Sequence, residues 1–206
     1  MPVVHVMRHG HVHNPDKVLY GRLPEFRLSA AGEEMARAVA THLRDNGHSV
    51  GRVVASPLLR AQQTATHVAA AFGLDVATDD RLIEAANIYE GQPLQNGPKD
   101  FAHPRHWWAL RNPWRPSWGE PYVEQRERMW AAIMDAAAQN PTSETVVVSH
   151  QLPIWVARLA FENRPFIHDP RSRKCSLASL TSFTIEGSEA VAMTYSEPAK
   201  HVEVAT

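Results

Sequence analysis

The apolar positions of this chain fall into two kinds of run, and the two kinds alternate. Residues 3–7, "VVHVM", are short, apolar and rich in β-branched side chains, the pattern of a buried strand. Residues 29–46 carry Met35, Val39 and Leu43 at helical spacing, with Ser29 placed as N-cap and Gly47 placed to end the helix. A second buried strand follows in "RVVAS" at 52–56. After it Ser56 reads as an N-cap and Pro57 as the first helical residue, while Leu58, Ala61, Ala65, Val68 and Phe72 mark one helix face before Gly73 stops it.

The alternation returns in the second half. A helix is predicted over 122–139, a strand over "ETVVVSH" at 144–150, and a helix over about 152–162 with Pro153 in its first turn. Near-continuous apolar strands alternating with helices imply a mostly parallel sheet with both faces covered, so the expected architecture is α/β: a three-layer α/β/α sandwich in one domain spanning 1–206. Segments near 178–184 and 190–196 are expected to complete or edge the sheet. Residues 85–121 break the pattern with Pro93, Pro98, Pro104, Pro113, Pro116 and Pro121, and with Trp107, Trp108, Trp114 and Trp118 among them, which predicts an irregular, lid-like excursion. The tail from Glu197 has no pattern and is expected to be loosely held.

Composition narrows the function. A chain of 206 residues with 21 basic and 22 acidic side chains has no bulk field to bind nucleic acid or an anionic membrane, so any anion site must be local. Cys175 is the single cysteine, no apolar run nears the length of a membrane span, and Arg8 interrupts the start where a secretory signal would be apolar. A cytoplasmic setting is expected. Twelve histidines make metal binding a question to be weighed.

In a parallel α/β sheet, ligands collect at the carboxyl ends of the strands. There the first strand delivers Arg8 and His9, the second leads to Arg60 in the first turn of its helix, and "VVVSH" ends in His150. Guanidinium groups and helix N-termini suit a phosphoryl group, and a neutral imidazole among them can attack phosphorus to form a phosphohistidine that water later opens. An acid for the leaving oxygen is also needed. Glu84 and Glu90 are the candidates, and Glu84 is preferred because it follows the apolar pair "LI" that can anchor it. A carboxyl beside a phosphate dianion has its pKa raised, so it can donate and later accept a proton.

"RHG" at 8–10, "SPLLRAQQTA" at 56–65, "LIE" at 82–84 and "VVVSH" at 146–150, in this order and spread over most of the chain, resemble the histidine phosphatase superfamily, which includes phosphoglycerate mutases. The resemblance implies His9 as nucleophile, Arg8, Arg60 and His150 as the phosphate pocket, and Glu84 as proton donor. It implies substrate contacts from Asn14, which comes one residue earlier than the family's usual asparagine, and from Gly21 in "LYGRLPEFRLS", where a plain turn is an equal reading. Gln151 stands where the family usually has glycine. The implied activity is a phosphomonoester hydrolase that needs no cofactor and no metal, acting on a small-molecule phosphomonoester.

Three other readings stay open. A mutase would need a second anion site, for which Lys99, Arg105, Arg111 and Arg115 are available in the excursion. A non-catalytic phospholigand-binding module on the same fold would tolerate loss of His9 or Glu84. A metal enzyme would use the alternation His9, His11, His13 with Asp16, which the arriving arginines disfavour. His11 and His13 otherwise read as loop residues, His5 as packing within the first strand, and Glu90 as an exposed carboxylate. The tryptophans fit either packing or an aromatic substrate surface. A homodimer is left open.

Overall fold

The computed structural model describes residues 1–93 and 119–204. Its strands are β1 (Val3–Arg8), β2 (Val50–Ala55), β3 (Val76–Thr78), β4 (Glu144–Ser149), β5 (Leu180–Glu186) and β6 (Glu189–Ser196). Its main helices are α1 (Ala30–Asp45), α2 (Leu59–Phe72), α3 (Tyr122–Gln139) and α4 (Gln151–Phe161), with short 3₁₀ turns at Asp80–Leu82 and Pro170–Ser172.

The six strands form one sheet in the order β3-β2-β4-β1-β5-β6. The first four in that order are mutually parallel, with Val6 opposite Val147 and Val53 opposite Val146. β5 pairs antiparallel with β1, Val6 facing Thr181, and β6 pairs antiparallel with β5. Side-chain alternation then divides the core in two. Met7, Val53, Val146 and Val148 pack with Val39, Leu43, Ala65 and Val68 of α1 and α2, and Val4, Val6, Val147 and Phe183 pack with Met129, Ile133 and Ile154 of α3 and α4. Helices thus cover both faces, as the continuous apolar strands require.

Connectivity creates a crevice at one place. From β1 the chain passes through α1 on one face to β2, whereas from β4 it passes through α4 on the other face to β5. β1 and β4 are neighbours whose connections leave in opposite directions, and the gap between their carboxyl ends is where such sheets bind ligands. His9 and His150 are the residues that follow those two strand ends.

Three local expectations are corrected. Ser56 does not cap α2: the helix begins at Leu59 with Leu58 as its N-cap, because the Ser56 hydroxyl is engaged by His150 and Pro57 prolongs the extended segment. The tail is not loose up to its described end, since Ala199 and Val202, three residues apart, turn back and bury themselves on the α1/α2 side of the core. β3 went unpredicted, its three residues being too few to show a period. Ser29, by contrast, caps α1, accepting a hydrogen bond from the Gly32 amide.

Candidate active site

The loop after β1 is held against two helices by close backbone contact. The Gly10 amide donates to Thr64 Oγ1 of α2 at 3.1 Å, and a Cβ on Gly10 would stand 2.5 Å from the Gly32 carbonyl oxygen of α1. Only glycine fits that approach. The contact fixes His9 beside the helix ends, where it is buried with 2% of its surface exposed.

The orientation of His9 follows from one bond. Its Nδ1 lies 2.8 Å from the Gly10 carbonyl oxygen, which can only accept, so Nδ1 carries the proton and Nε2 keeps its lone pair. Burial, and then the charges of Arg60 and Arg8, hold the His9 pKa well below the ordinary histidine value, so the ring is a neutral imidazole. His150 packs against it with ring centroids 5.1 Å apart. Burial first, and the neighbouring His9 ring second, depress the pKa of His150 as well. Its Nε2 meets Ser56 Oγ at 2.8 Å, while its Nδ1 is buried with no hydrogen-bond partner among the described residues.

The two arginines are pre-positioned by carbonyl oxygens. Arg8 donates to Cys175 O at 2.6 Å, and Arg60 donates to Gly21 O at 2.6 Å with its guanidinium 4.7 Å from the centre of the Tyr20 ring. Arg60 is fully buried, without a carboxylate among its hydrogen-bond partners. Arg8 Nε and Arg60 Nε have no partner among the described residues. Two cations and an imidazole with unused polar atoms around one bare Nε2 are costly to bury alone, and a tetrahedral oxyanion suits all of them.

Glu84 lines the same cavity as His9 and is tied down at its backbone. Leu82 before it is fully buried, with its carbonyl accepting from Ser149 Oγ at 2.7 Å. The Glu84 carbonyl accepts from Arg22 Nε at 2.7 Å, and Arg22 in turn shares the Glu120 carboxylate with Arg128. The Glu84 side chain accepts from the Ala85 amide at 2.8 Å. Burial pushes its pKa up against the opposing pull of that amide and of Arg60, Arg8 and Arg173. A carboxyl whose surroundings favour the neutral form can donate a proton.

Arg8, His9, Gly21, Glu84, Tyr122 and Arg173 line a cavity of about 640 Å³, and Arg60 and His150 stand behind its wall, against Tyr20 and His9. Among the sequence-predicted residues, the structure brings together His9, Arg8, Arg60, His150, Glu84 and Gly21. The Gly21 backbone, at φ +35°, both lines the cavity and holds Arg60. Asn14 is not brought in: its amide group is spent on Val18, donating to the carbonyl at 2.8 Å and accepting from the amide at 3.0 Å. Glu90 is half-buried rather than exposed and accepts from the Asn87 amide. His9, His11 and His13 do not converge as a ligand set, because His11 turns to Ser29 Oγ and His13 is exposed. Trp107, Trp108, Trp114, Trp118, Lys99, Arg105, Arg111 and Arg115 lie outside the described residues.

Several site residues escaped the sequence reading. Ser56 was read only as a cap. Arg173 and His168, joined by a 2.8 Å hydrogen bond, line the cavity, and Arg173 also reaches Gln151 at 3.4 Å. The signal for Arg173 was the basic run "RSRK" at 171–174, on the approach to β5. An antiparallel β5 starts at the end where β1 finishes, which brings that run to the site. Cys175 is excluded as a nucleophile, since burial pushes its thiol up to about 11.

Comparison with known proteins agrees with this geometry. Residues 4–198 match the family model of the histidine phosphatase superfamily (branch 1). The chain belongs to the histidine phosphatase superfamily. An uncharacterized protein of Mycobacterium tuberculosis is 50% identical over 196 residues, 95% of this chain and 96% of that protein. A probable phosphoglycerate mutase of Yersinia enterocolitica is 32% identical over 155 residues, 73% of this superfamily member and 70% of the mutase. Among solved structures, a mycobacterial glucosyl-3-phosphoglycerate phosphatase superposes with a TM-score of 0.72 at 25% identity, covering 94% of this chain and 96% of that one. No helix of the described residues is long and apolar enough to cross a membrane.

Proposed function

We propose that this superfamily member is a metal-independent phosphomonoester hydrolase that works through a phosphohistidine on His9. The observation that carries the reading is the fixed tautomer of His9: a buried neutral ring, its Nδ1–H spent on Gly10 O, leaves Nε2 as the one ring atom able to attack. Nε2 forms a bond to phosphorus as the ester P–O bond breaks, and the Glu84 carboxyl gives its proton to the departing oxygen. Water then attacks the same phosphorus, its proton passes to the Glu84 carboxylate, and the His9 nitrogen leaves with its electron pair. Arg8, Arg60 and the neutral His150 hold the phosphoryl oxygens through both steps, and the two guanidinium groups supply the positive charge that a metal would otherwise bring.

Bulkier phosphomonoesters are the preferred substrates in this reading. It is supported by the size of the cavity, by the apolar side chains of Leu19, Tyr20, Leu152 and Ile167 in its walls, and by the likeness to the mycobacterial glucosyl-3-phosphoglycerate phosphatase. Rapid quench with a phosphate ester labelled at phosphorus should trap an acid-labile, base-stable phosphoenzyme in the native chain and none in His9→Ala, with turnover surviving exhaustive chelation. Undiminished label in His9→Ala, activity restored only by added metal, or isomerisation of 3-phosphoglycerate faster than phosphate release would each refute it.

A further inference from the structure

The twelve histidines leave a second cluster unexplained by the active site. His5 on β1, His48 in the turn before β2 and Glu144 at the start of β4 converge away from the catalytic cavity, with one ligand atom of each within 4.8 Å of the others. His5 lies four residue steps before His9, about 13 Å along the extended chain. From this convergence of two imidazoles and a carboxylate we infer a binding site for one divalent transition-metal ion of the zinc class.

The geometry is that of a ligand set rather than of a simple ion pair. Glu144 Oε2 lies 3.1 Å from His5 Nε2 and 2.9 Å from His48 Nδ1, so one carboxylate oxygen gathers imidazoles from two other segments. Bonds of about 2.0–2.1 Å to a tetrahedral ion place neighbouring ligand atoms roughly 3.3 Å apart, a few tenths of an ångström beyond the two separations from Glu144 Oε2. The rings of His5 and His48 stand edge to face, at 88° with centroids 5.0 Å apart.

Around the three ligands the support is also in place. His5 Nδ1 lies 2.7 Å from Ser182 Oγ on β5. When that nitrogen donates, Nε2 is left bare toward the ion, the arrangement by which metal-binding histidines are usually oriented. His5 is nearly inaccessible, but the side chains of Glu144 and His48 keep 23% and 30% of their surface, and the three open on a cavity of about 270 Å³ that also carries His42. The cluster is therefore open to an ion from solvent. Nitrogen-rich donor sets of this kind select zinc, cobalt, nickel or copper over magnesium and calcium, which take oxygen ligands.

The test uses the full chain, tag removed and stripped with chelator. Titration with cobalt(II) should show one saturating equivalent with the intense visible bands of a tetrahedral nitrogen–oxygen site, displaced by one equivalent of zinc, and zinc should raise the melting temperature where magnesium and calcium do not. His48→Ala and Glu144→Gln, both at partly exposed positions, should each weaken cobalt binding at least about tenfold while keeping the native near-ultraviolet dichroism. The same three side chains can also form a plain hydrogen-bonded cluster, one carboxylate oxygen accepting from two ring N–H groups. Absence of saturable binding would establish that arrangement instead. Affinity unchanged in His48→Ala, or lost in His13→Ala but kept in His48→Ala, would equally overturn the site.

Discussion

Replacing Glu84 by Gln tests the proposed chemistry most sharply, because the structure separates its catalytic consequence from its structural one. Glutamine keeps the shape and an oxygen that can still accept from the Ala85 amide, so the segment held by Leu82, Arg22 and Glu120 should stay in place. What disappears is the transferable proton. General acid catalysis is worth about 10²–10⁴ in rate, or about 3–5 kcal/mol of barrier, and that loss should fall on alkyl phosphates, whose leaving oxygens need protonation. An aryl phosphate such as p-nitrophenyl phosphate leaves without help and should lose less than about tenfold. Stability should move the other way. Burial raises the folded-state pKa of Glu84, so its carboxylate costs stability above the unfolded-state value, and the cost grows as pH rises through the folded pKa. Glu84→Gln should accordingly match the native protein in urea unfolding near pH 4 and exceed it near pH 7.5. Steady-state kcat/KM on both ester types and urea titrations at both pH values measure this. Equal losses on the two substrates would remove the general-acid role, and a variant less stable than the native chain at pH 7.5 would refute the account of the carboxyl's surroundings.

Two further outcomes follow from the site's supports. Gly10→Ala should lower stability by about 1–3 kcal/mol, seen as a reduced melting temperature, because the new methyl meets the Gly32 carbonyl and backbone must shift; an unchanged melting temperature would mean that the loop is looser than this contact implies. Arg173→Ala should raise KM and, by removing a cation that favours the Glu84 carboxylate, push the Glu84 pKa higher still, moving the basic limb of the kcat/KM profile to higher pH, whereas Arg173→Lys should leave the limb in place. A limb that stays fixed in both variants would detach Arg173 from Glu84.

Local pattern was enough to reveal every strand but β3, the four main helices and the strand-end residues of this protein, because each depends on spacing along a few neighbouring positions. β1 ends at Arg8 and β4 at Ser149, so His9 and His150 were legible as strand-end groups before any fold was known. Arg60 was legible for the same reason, in the first turn of the helix that follows β2. Tertiary structure alone decided what those groups do to one another. The placement of β4 beside β1 sets His150 against His9, and the Gly10 carbonyl selects the tautomer that bares Nε2. Ser56 looked like a helix cap because local pattern cannot see a histidine 94 residues away competing for the same hydroxyl. Arg173 entered the site through the reversal of direction at β5, and the His5, His48 and Glu144 cluster arose from segments that are far apart until the sheet pairs them. Spacing of a few residues is fixed by backbone geometry, whereas proximity across the sheet is set by strand order and register, which no single segment encodes.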